Sequence, residues 1–364
     1  MSEAAKTIAA STEFLAGLPS GAAVLIVRLR SMGDTILLTP ALRLLHDWRP
    51  DLQVSVLVEP PWNELLEGNP AVESVLTLRG KAMAAWRVRR ARFDAVVNLH
   101  GGPTSAFLSR WSAAPLRAGF SHFRHPGAYN AHIPTAQEIL GTPRPVHTAE
   151  HIASAFFWLG VPPGTVPPAE LYPSDTAFER VRERLGSMGV EADESYAVIH
   201  PTALYASKQW PAQGFAEIEQ YLERTYGLRA VYVCGEGKNE RETLDRIESQ
   251  NRRSILLAQN WPLQEVIALT AGARIFVGND SGPAHIAAAV RIPVLVIFGS
   301  SHATVWKPWK AVDAAVVQNY FDCNPCPGDR CYVYEEPRCI LSISAEQVKV
   351  CLEALLRPAA HSRT

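Results

Sequence analysis

The chain has 364 residues, 47% apolar, 20% charged and 9% aromatic, with 35 basic against 36 acidic side chains. At about 100–200 residues per domain this is two domains, each able to bury a core unaided, so a small cross-linked scaffold is excluded. A formal charge of −1 excludes a uniformly basic nucleic-acid binder. No apolar run approaches the about 18 residues of a membrane span, and residues 1–20 lack a signal-peptide core, reading as a tail or a short capping helix. Six cysteines are too few for a disulfide framework and point to the reducing cytosol.

From Gly21 onward, short β-branched runs alternate with helical stretches. Residues 23–29, 53–58, 74–78 and 94–99 read as buried strands, and 36–48 as a helix with Leu38, Leu42, Leu45 and Trp48 on one stripe. This is the βαβ rhythm of an α/β fold with a parallel sheet covered on both faces. It breaks at VPPGTVPPAELYPS, residues 161–174, whose prolines continue neither element. The expected domains are therefore 1–165 and 175–344. The second block has strands at 196–199, 229–233, 254–257, 274–277 and 294–298, with helices after Pro211, Lys238 and Leu263. Ligands of doubly wound sheets sit beyond the carboxyl ends of the strands, so chemistry is expected between the two halves.

Two turns stand out. In VRLRSMGDTILLTPALRLL, residues 27–45, a strand runs into Arg30, Ser31, Met32 and Gly33, and Asp34 follows. Gly33 permits a left-handed turn and Asp34 is a good N-cap, although Thr39–Pro40 is a competing helix start. The carboxylate has two readings, a cap or a general base displayed at the strand edge, and local sequence leaves both open. In VGNDSGPAHIAAA, residues 277–289, Asp280, Ser281, Gly282 and His285 converge on one helix start. Open amides, the helix dipole and small side chains there suit a phosphate; the alternative is a tight connection with a buried histidine.

Common nucleotide fingerprints are missing. Gly235 and Gly237 begin a GxG, but Glu240 stands where the third glycine belongs, which disfavours a dinucleotide oxidoreductase. There is no P-loop, and no DxD pair to grip a divalent ion on a diphosphate.

The stretches RLRSMGDTILLTPALRLL, HPTALYASKQWP (200–211) and VGNDSGPAHIAAA, in this order, resemble the heptosyltransferases of glycosyltransferase family nine. The resemblance implies a GT-B fold of two Rossmann-like domains and inverting, metal-independent transfer of heptose from ADP-heptose to a lipid A–Kdo/heptose acceptor of the lipopolysaccharide inner core. It implies Asp34 as catalytic base, with Arg30, Ser31 and Gly33 on the acceptor-side turn. Lys208 and Thr202 would meet the diphosphate, with Asp280, Ser281, Gly282 and His285. Glu240 would bond the ribose, its alternative being an exposed helix-start glutamate, and Trp261 would lie near adenine. No cofactor is required beyond the donor substrate. A last helix at 345–356, within 345–364, is implied to return to the N-terminal domain, and acceptor contacts to come from loops such as 101–125. The enzyme would be a monomer at the cytosolic face of the inner membrane, without nucleic-acid partners. A same-fold enzyme using another sugar nucleotide, and a non-catalytic binding module, are the alternatives; the base and the lysine together speak against the latter.

RGKAMAAWRVRRAR, residues 79–92, is basic throughout and reads either as a solvated helix face or as a contact for anionic lipid or acceptor phosphate, through Arg87, Arg89 and Arg90. Cys323, Cys326, Cys331 and Cys339 admit three readings: reduced thiols, disulfides formed on isolation, and a structural metal.

Overall fold

The computed structural model describes residues 13–251 and 255–357. The expected tail at 1–20, the strand start at Ser254 and the terminal segment at 345–364 lie partly outside these residues. The chain divides into two compact units, Met1–Tyr172 and Pro173–Thr364.

The first unit runs β1 (Ala23–Val27), α1 (Met32–Ile36), α2 (Thr39–Trp48), β2 (Gln53–Val58), β3 (Ser74–Thr77), α3 (Lys81–Ala91), β4 (Ala95–Asn98), α4 (Pro103–Trp111), β5 (Leu116–Phe120), β6 (Ala131–Ile133), α5 (Ala136–Leu140) and α6 (Thr148–Trp158). Its strands form one parallel sheet, ordered β3-β2-β1-β4-β5-β6. Leu25, Val27 and Leu57 point to one face, where Ala84, Ala85 and Val88 of α3 and Leu108 of α4 close over them; successive strand side chains alternate, so Val24 and Ile26 are buried on the other.

The helix expected at 36–48 begins at Thr39, the competing start beside Pro40, and a separate short helix precedes it. Pro40 has no N–H to donate and crowds the preceding turn, so α1 ends at Ile36 and α2 starts afresh, with buried Thr39 Oγ1 donating to Ile36 O at 2.8 Å. Strands β5 and β6 were not expected: LRAGF carries Gly, Arg and Ala, and β6 is only three residues long. The segment 101–125 is not one continuous loop but contains α4 and β5 with turns between and after them.

The second unit runs α7 (Asp175–Ser187), β7 (Tyr196–His200), α8 (Ala212–Tyr226), β8 (Arg229–Cys234), α9 (Lys238–Asn251), β9 (Leu256–Gln259), α10 (Leu263–Ala271), β10 (Ile275–Asn279), α11 (Gly282–Ala289), β11 (Val294–Phe298), α12 (Ala303–Trp306), β12 (Ala314–Gln318), α13 (Arg338–Leu341) and α14 (Ala345–Leu356). Its sheet is again parallel, ordered β12-β11-β10-β7-β8-β9. Both sheets reverse direction of growth at a central strand, the doubly wound pattern that opens a crevice at the carboxyl ends.

The two units divide between Tyr172 and Pro173, inside the proline-rich segment 161–174. The proline-rich segment as far as Tyr172 belongs to the first unit: Val166, Ala169 and Leu171 are buried, and Glu170 N donates to Thr39 Oγ1 at 3.1 Å. The final helix α14 packs within the second unit. Val348, Leu352 and Leu356 are buried in the second unit's core with Phe215, Ile218 and Leu222 of α8, because their 4-residue spacing makes one apolar stripe. Among the described residues no helix is long and apolar enough to cross a membrane.

Candidate active site

In the first unit, Asp34 sits at the carboxyl end of β1. Ser31, not Asp34, is the N-cap of α1; Asp34 is the third helical residue, and its Oδ2 accepts from Ser31 N and Ser31 Oγ, both at 3.0 Å. Its Oδ1 accepts from the Arg28 guanidinium, which also donates to Leu99 O. A carboxylate has about four lone-pair sites, and three are taken here, so the group is both capped and held in one orientation. Gly33 lies inside α1 with ordinary helical backbone rather than in a left-handed turn. Arg30 and Ser31 are exposed beside it.

Sequence reasoning missed this carboxylate's partner, Arg28, and two histidines near it. His100, half-buried, feels Arg28, Arg30 and Asp34; burial, then the two arginines, hold its pKa below the usual value. Its backbone N–H donates to buried Asn98 Oδ1 at 2.9 Å, which fixes the turn after β4. His151 stacks on Phe120 (centroids 4.6 Å apart), and burial, helped by His122 and Arg28, lowers it to about 4. Arg28 was legible in principle, as a charged residue at the end of an otherwise apolar strand. The histidines come from segments more than seventy residues downstream, with no local signal.

In the second unit, Lys208 ends a 3-10 turn, Ala206–Lys208, after β7, and Asp280 follows β10, the neighbouring strand. Lys208 Nζ lies 2.9 Å from Asp280 Oδ2. Buried Ser207 anchors the turn, its Oγ donating to Gly328 O and lying 3.1 Å from Ser300 Oγ. Ser281 is the N-cap of α11, and Pro283 occupies the first turn, where no donor is lost. Gly282 opens that helix; His285, one turn in, is buried at 5% exposure. Asn279 ties the turns together: Oδ1 accepts from Trp210 N at 3.0 Å and Nδ2 donates to Pro201 O at 2.8 Å.

On the other flank of β7, Glu240 Oε2 accepts from Gly237 N at 2.8 Å and Oε1 from Gly235 N at 3.1 Å and Thr202 Oγ1 at 3.3 Å. Glu240 thus joins Thr202 and organises the GxG turn from within. Trp261 stands apart, past the end of edge strand β9, with the Arg184 guanidinium 5.0 Å over its ring and Arg184 Nε 2.9 Å from Glu265 Oε2.

All six cysteines are free. Cys323, Cys326, Cys331 and Cys339 line one cavity of about 170 Å3, and burial raises the Cys339 thiol. Among the described residues no group of three or more His, Cys, Asp or Glu side chains is arranged to hold a metal ion.

A charged pair at the start of a helix, facing the carboxyl ends of a doubly wound sheet, suits a phosphorylated ligand, and the comparison with known proteins decides the family. Residues 83–334 match the model of "Glycosyltransferase family 9 (heptosyltransferase)". The chain belongs to glycosyltransferase family 9. As a family 9 member it is a glycosyltransferase, an α/β protein of the GT-B class. It is 27% identical over 296 residues to lipopolysaccharide heptosyltransferase 3 of Escherichia coli K12, covering 77% of this chain and 83% of that protein. Among solved structures, a family 9 glycosyl transferase from Veillonella parvula matches with a TM-score of 0.77 at 20% identity (92% of this chain, 97% of that one). The E. coli ADP-heptose lipopolysaccharide heptosyltransferase II matches at 0.74 and 19% (91% and 98%).

Proposed function

We propose that this family 9 enzyme transfers heptose from ADP-heptose to the inner core of lipopolysaccharide, with inversion and without a required metal, at the cytosolic face of the inner membrane. The observation that carries the reading is the Lys208–Asp280 pair beside the start of α11. The names of the matching relatives support the donor and acceptor class.

The chemistry divides between the units. The acceptor O–H gives its proton to a free lone pair of Asp34 as its oxygen bonds to the anomeric carbon; the bond from that carbon to the diphosphate oxygen breaks, and ADP leaves. Arg28 and Ser31 hold the carboxylate still for this, which saves reorganisation in the transition state. Negative charge grows on the departing diphosphate. Lys208, with donors left over from Asp280, and the amides of the α11 start offset it, the work a divalent ion does elsewhere. Asp280 beside a diphosphate would repel it if unpaired, so Lys208 serves both anions. Glu240 and Thr202 are assigned to the ribose side, Trp261 to the adenine.

The test is transfer from ADP-heptose, and from UDP-glucose in parallel, to purified heptose-deficient lipopolysaccharide, with the product's anomeric configuration read by NMR. Inverted linkage from ADP-heptose is expected. Retained configuration, or turnover with UDP-glucose alone, overturns the reading.

A further inference from the structure

Helices α3 and α4 cover one face of the first unit's sheet with Ala84, Ala85, Val88 and Leu108. Their outer face is unusual. Met83, Trp86, Phe107 and Trp111 are 55%, 57%, 49% and 51% exposed there, four large apolar side chains on two neighbouring helices. Phe107 and Trp111 stack at 5.8 Å, and together with Trp86 and Arg89 they line a shallow groove of about 630 Å3. A second depression continues from it past Arg110 and Arg117. Contiguous apolar surface of this kind on a soluble unit marks a contact site.

The rim is cationic. Lys81, Arg89, Arg90 and Arg110 surround the aromatic rings, with the Arg90 guanidinium 5.6 Å from the Trp86 ring centre. Among the described residues none of these four is ion-paired with a carboxylate. Unpaired cations around half-exposed indoles match one occupant well: rings settle at headgroup level, while long basic side chains lay their stems on apolar surface and reach phosphates. A second copy meeting the same patch by two-fold symmetry would set arginines against arginines.

We propose that the outer face of α3 and α4 is a docking surface for an anionic lipid bilayer, with Trp86, Phe107, Trp111 and Met83 entering the headgroup boundary and Lys81, Arg89, Arg90 and Arg110 against lipid phosphates. This deepens the transferase reading, since an acceptor anchored in lipid is met at a bilayer. The two stand or fall separately, because lipid binding is measured without nucleotide sugar or acceptor.

The experiment is co-sedimentation of the full chain with vesicles of phosphatidylcholine alone and of phosphatidylcholine with about one third phosphatidylglycerol. Binding to the anionic vesicles only, weakened by salt, is expected. Neutralising two rim charges in Arg89→Gln/Arg90→Gln is expected to weaken partitioning about 30-fold, from about fivefold per arginine at an anionic surface. Trp86→Ser, which leaves the charge alone, is expected to remove the part that survives high salt. Circular dichroism checks that each variant is folded. Equal binding to both vesicle types, wild-type binding by both folded variants, or a wild-type dimer in sedimentation that the variants abolish would each overturn the proposal. Vesicle binding by a protein that transfers no heptose would count against the transferase reading alone.

Discussion

Lys208 Nζ stands 2.9 Å from Asp280 Oδ2, the lysine side chain 23% exposed and the aspartate 6%. A carboxylate that buried depends on its partner, because removing one member of a desolvated pair leaves the other charge uncompensated. Lys208→Met is therefore expected to lower unfolding stability by about 1–3 kcal/mol, less than for a fully buried pair since the lysine is partly wet. Lys208→Met/Asp280→Asn should recover most of that loss. ADP affinity should not recover, falling about 10–100-fold in both, as for a lost hydrogen bond to a charged group. Urea unfolding and calorimetric ADP titration separate the two effects; a stable single variant that binds ADP normally would remove Lys208 from the diphosphate site.

Asp34 and Arg28 allow a sharper dissection, since one is assigned to touch the substrate and the other acts through it. Asp34→Asn keeps the shape of the group and its contact to Ser31 but cannot take a proton, so turnover is expected to fall at least about 100-fold with ADP affinity intact. Arg28→Lys keeps the charge but loses the planar fork that reaches both Asp34 and Leu99 O. Its kcat should fall about tenfold with KM little changed, since a misplaced base acts on the transition state. Near-normal turnover in Asp34→Asn excludes it as the base.

Much of this arrangement was legible in the sequence, for identifiable reasons. Strands such as AVLIV and VLVIF are continuous apolar runs bounded by turns, so their place in a buried parallel sheet followed directly. Strand β12, AAVVQ, did not stand out, because its residues are only partly buried at the sheet edge. Asp34 and Lys208 were singled out by the family resemblance of their stretches, since local sequence left Asp34 open between a cap and a base. Their immediate partners fared differently: Asp280 belonged to a visible helix-start motif, whereas Arg28 gained meaning only once the turn brought Asp34 back over it. His100 and His151 reach the same edge from β4 and from α6, and only folding makes them neighbours. The apolar stripe of α14 shows the same limit: it packs on α8 of its own unit, and pattern alone does not name the partner.

Histidines held neutral mainly by partial or full burial set an acid limb for stability. Free histidine protonates near 6.5, whereas His151 in the fold resists until about 4, chiefly because burial disfavours its charged form. Between those values the unfolded chain binds more protons, so the contribution is complete above pH 6.5 and is lost as pH falls towards 4. It amounts to about 3 kcal/mol, and His100 and His200, both also lowered mainly by burial, act in the same direction. Asp51, held near 2 by Arg49, titrates below this window. His151→Phe, which keeps the stack on Phe120, is expected to flatten the decline in urea-unfolding stability from pH 6.5 to 4. An unchanged slope would show that His151 is not kept neutral by the fold.

Gly299, just past β11, tests whether the turn bearing Lys208 is held from behind. A Cβ there would collide with Ser207 O and lie 3.0 Å from the Cβ of Ile340. The first contact is to backbone, which no side-chain rotation relieves, so Gly299→Ala must displace the 206–208 turn and draw Lys208 away from Asp280. A loss of about 1–3 kcal/mol, as for overpacking, is expected, together with weakened ADP binding. Gly186 is the control: it lies in α7 with open space around its Cβ position, and Gly186→Ala should raise stability by up to about 1 kcal/mol through helix propensity and leave ADP binding alone. Thermal melts with and without ADP distinguish the outcomes. If Gly299→Ala melts lower yet gains the same shift from ADP as the parent, the strain is absorbed by α13 and the lysine turn is not what Gly299 protects.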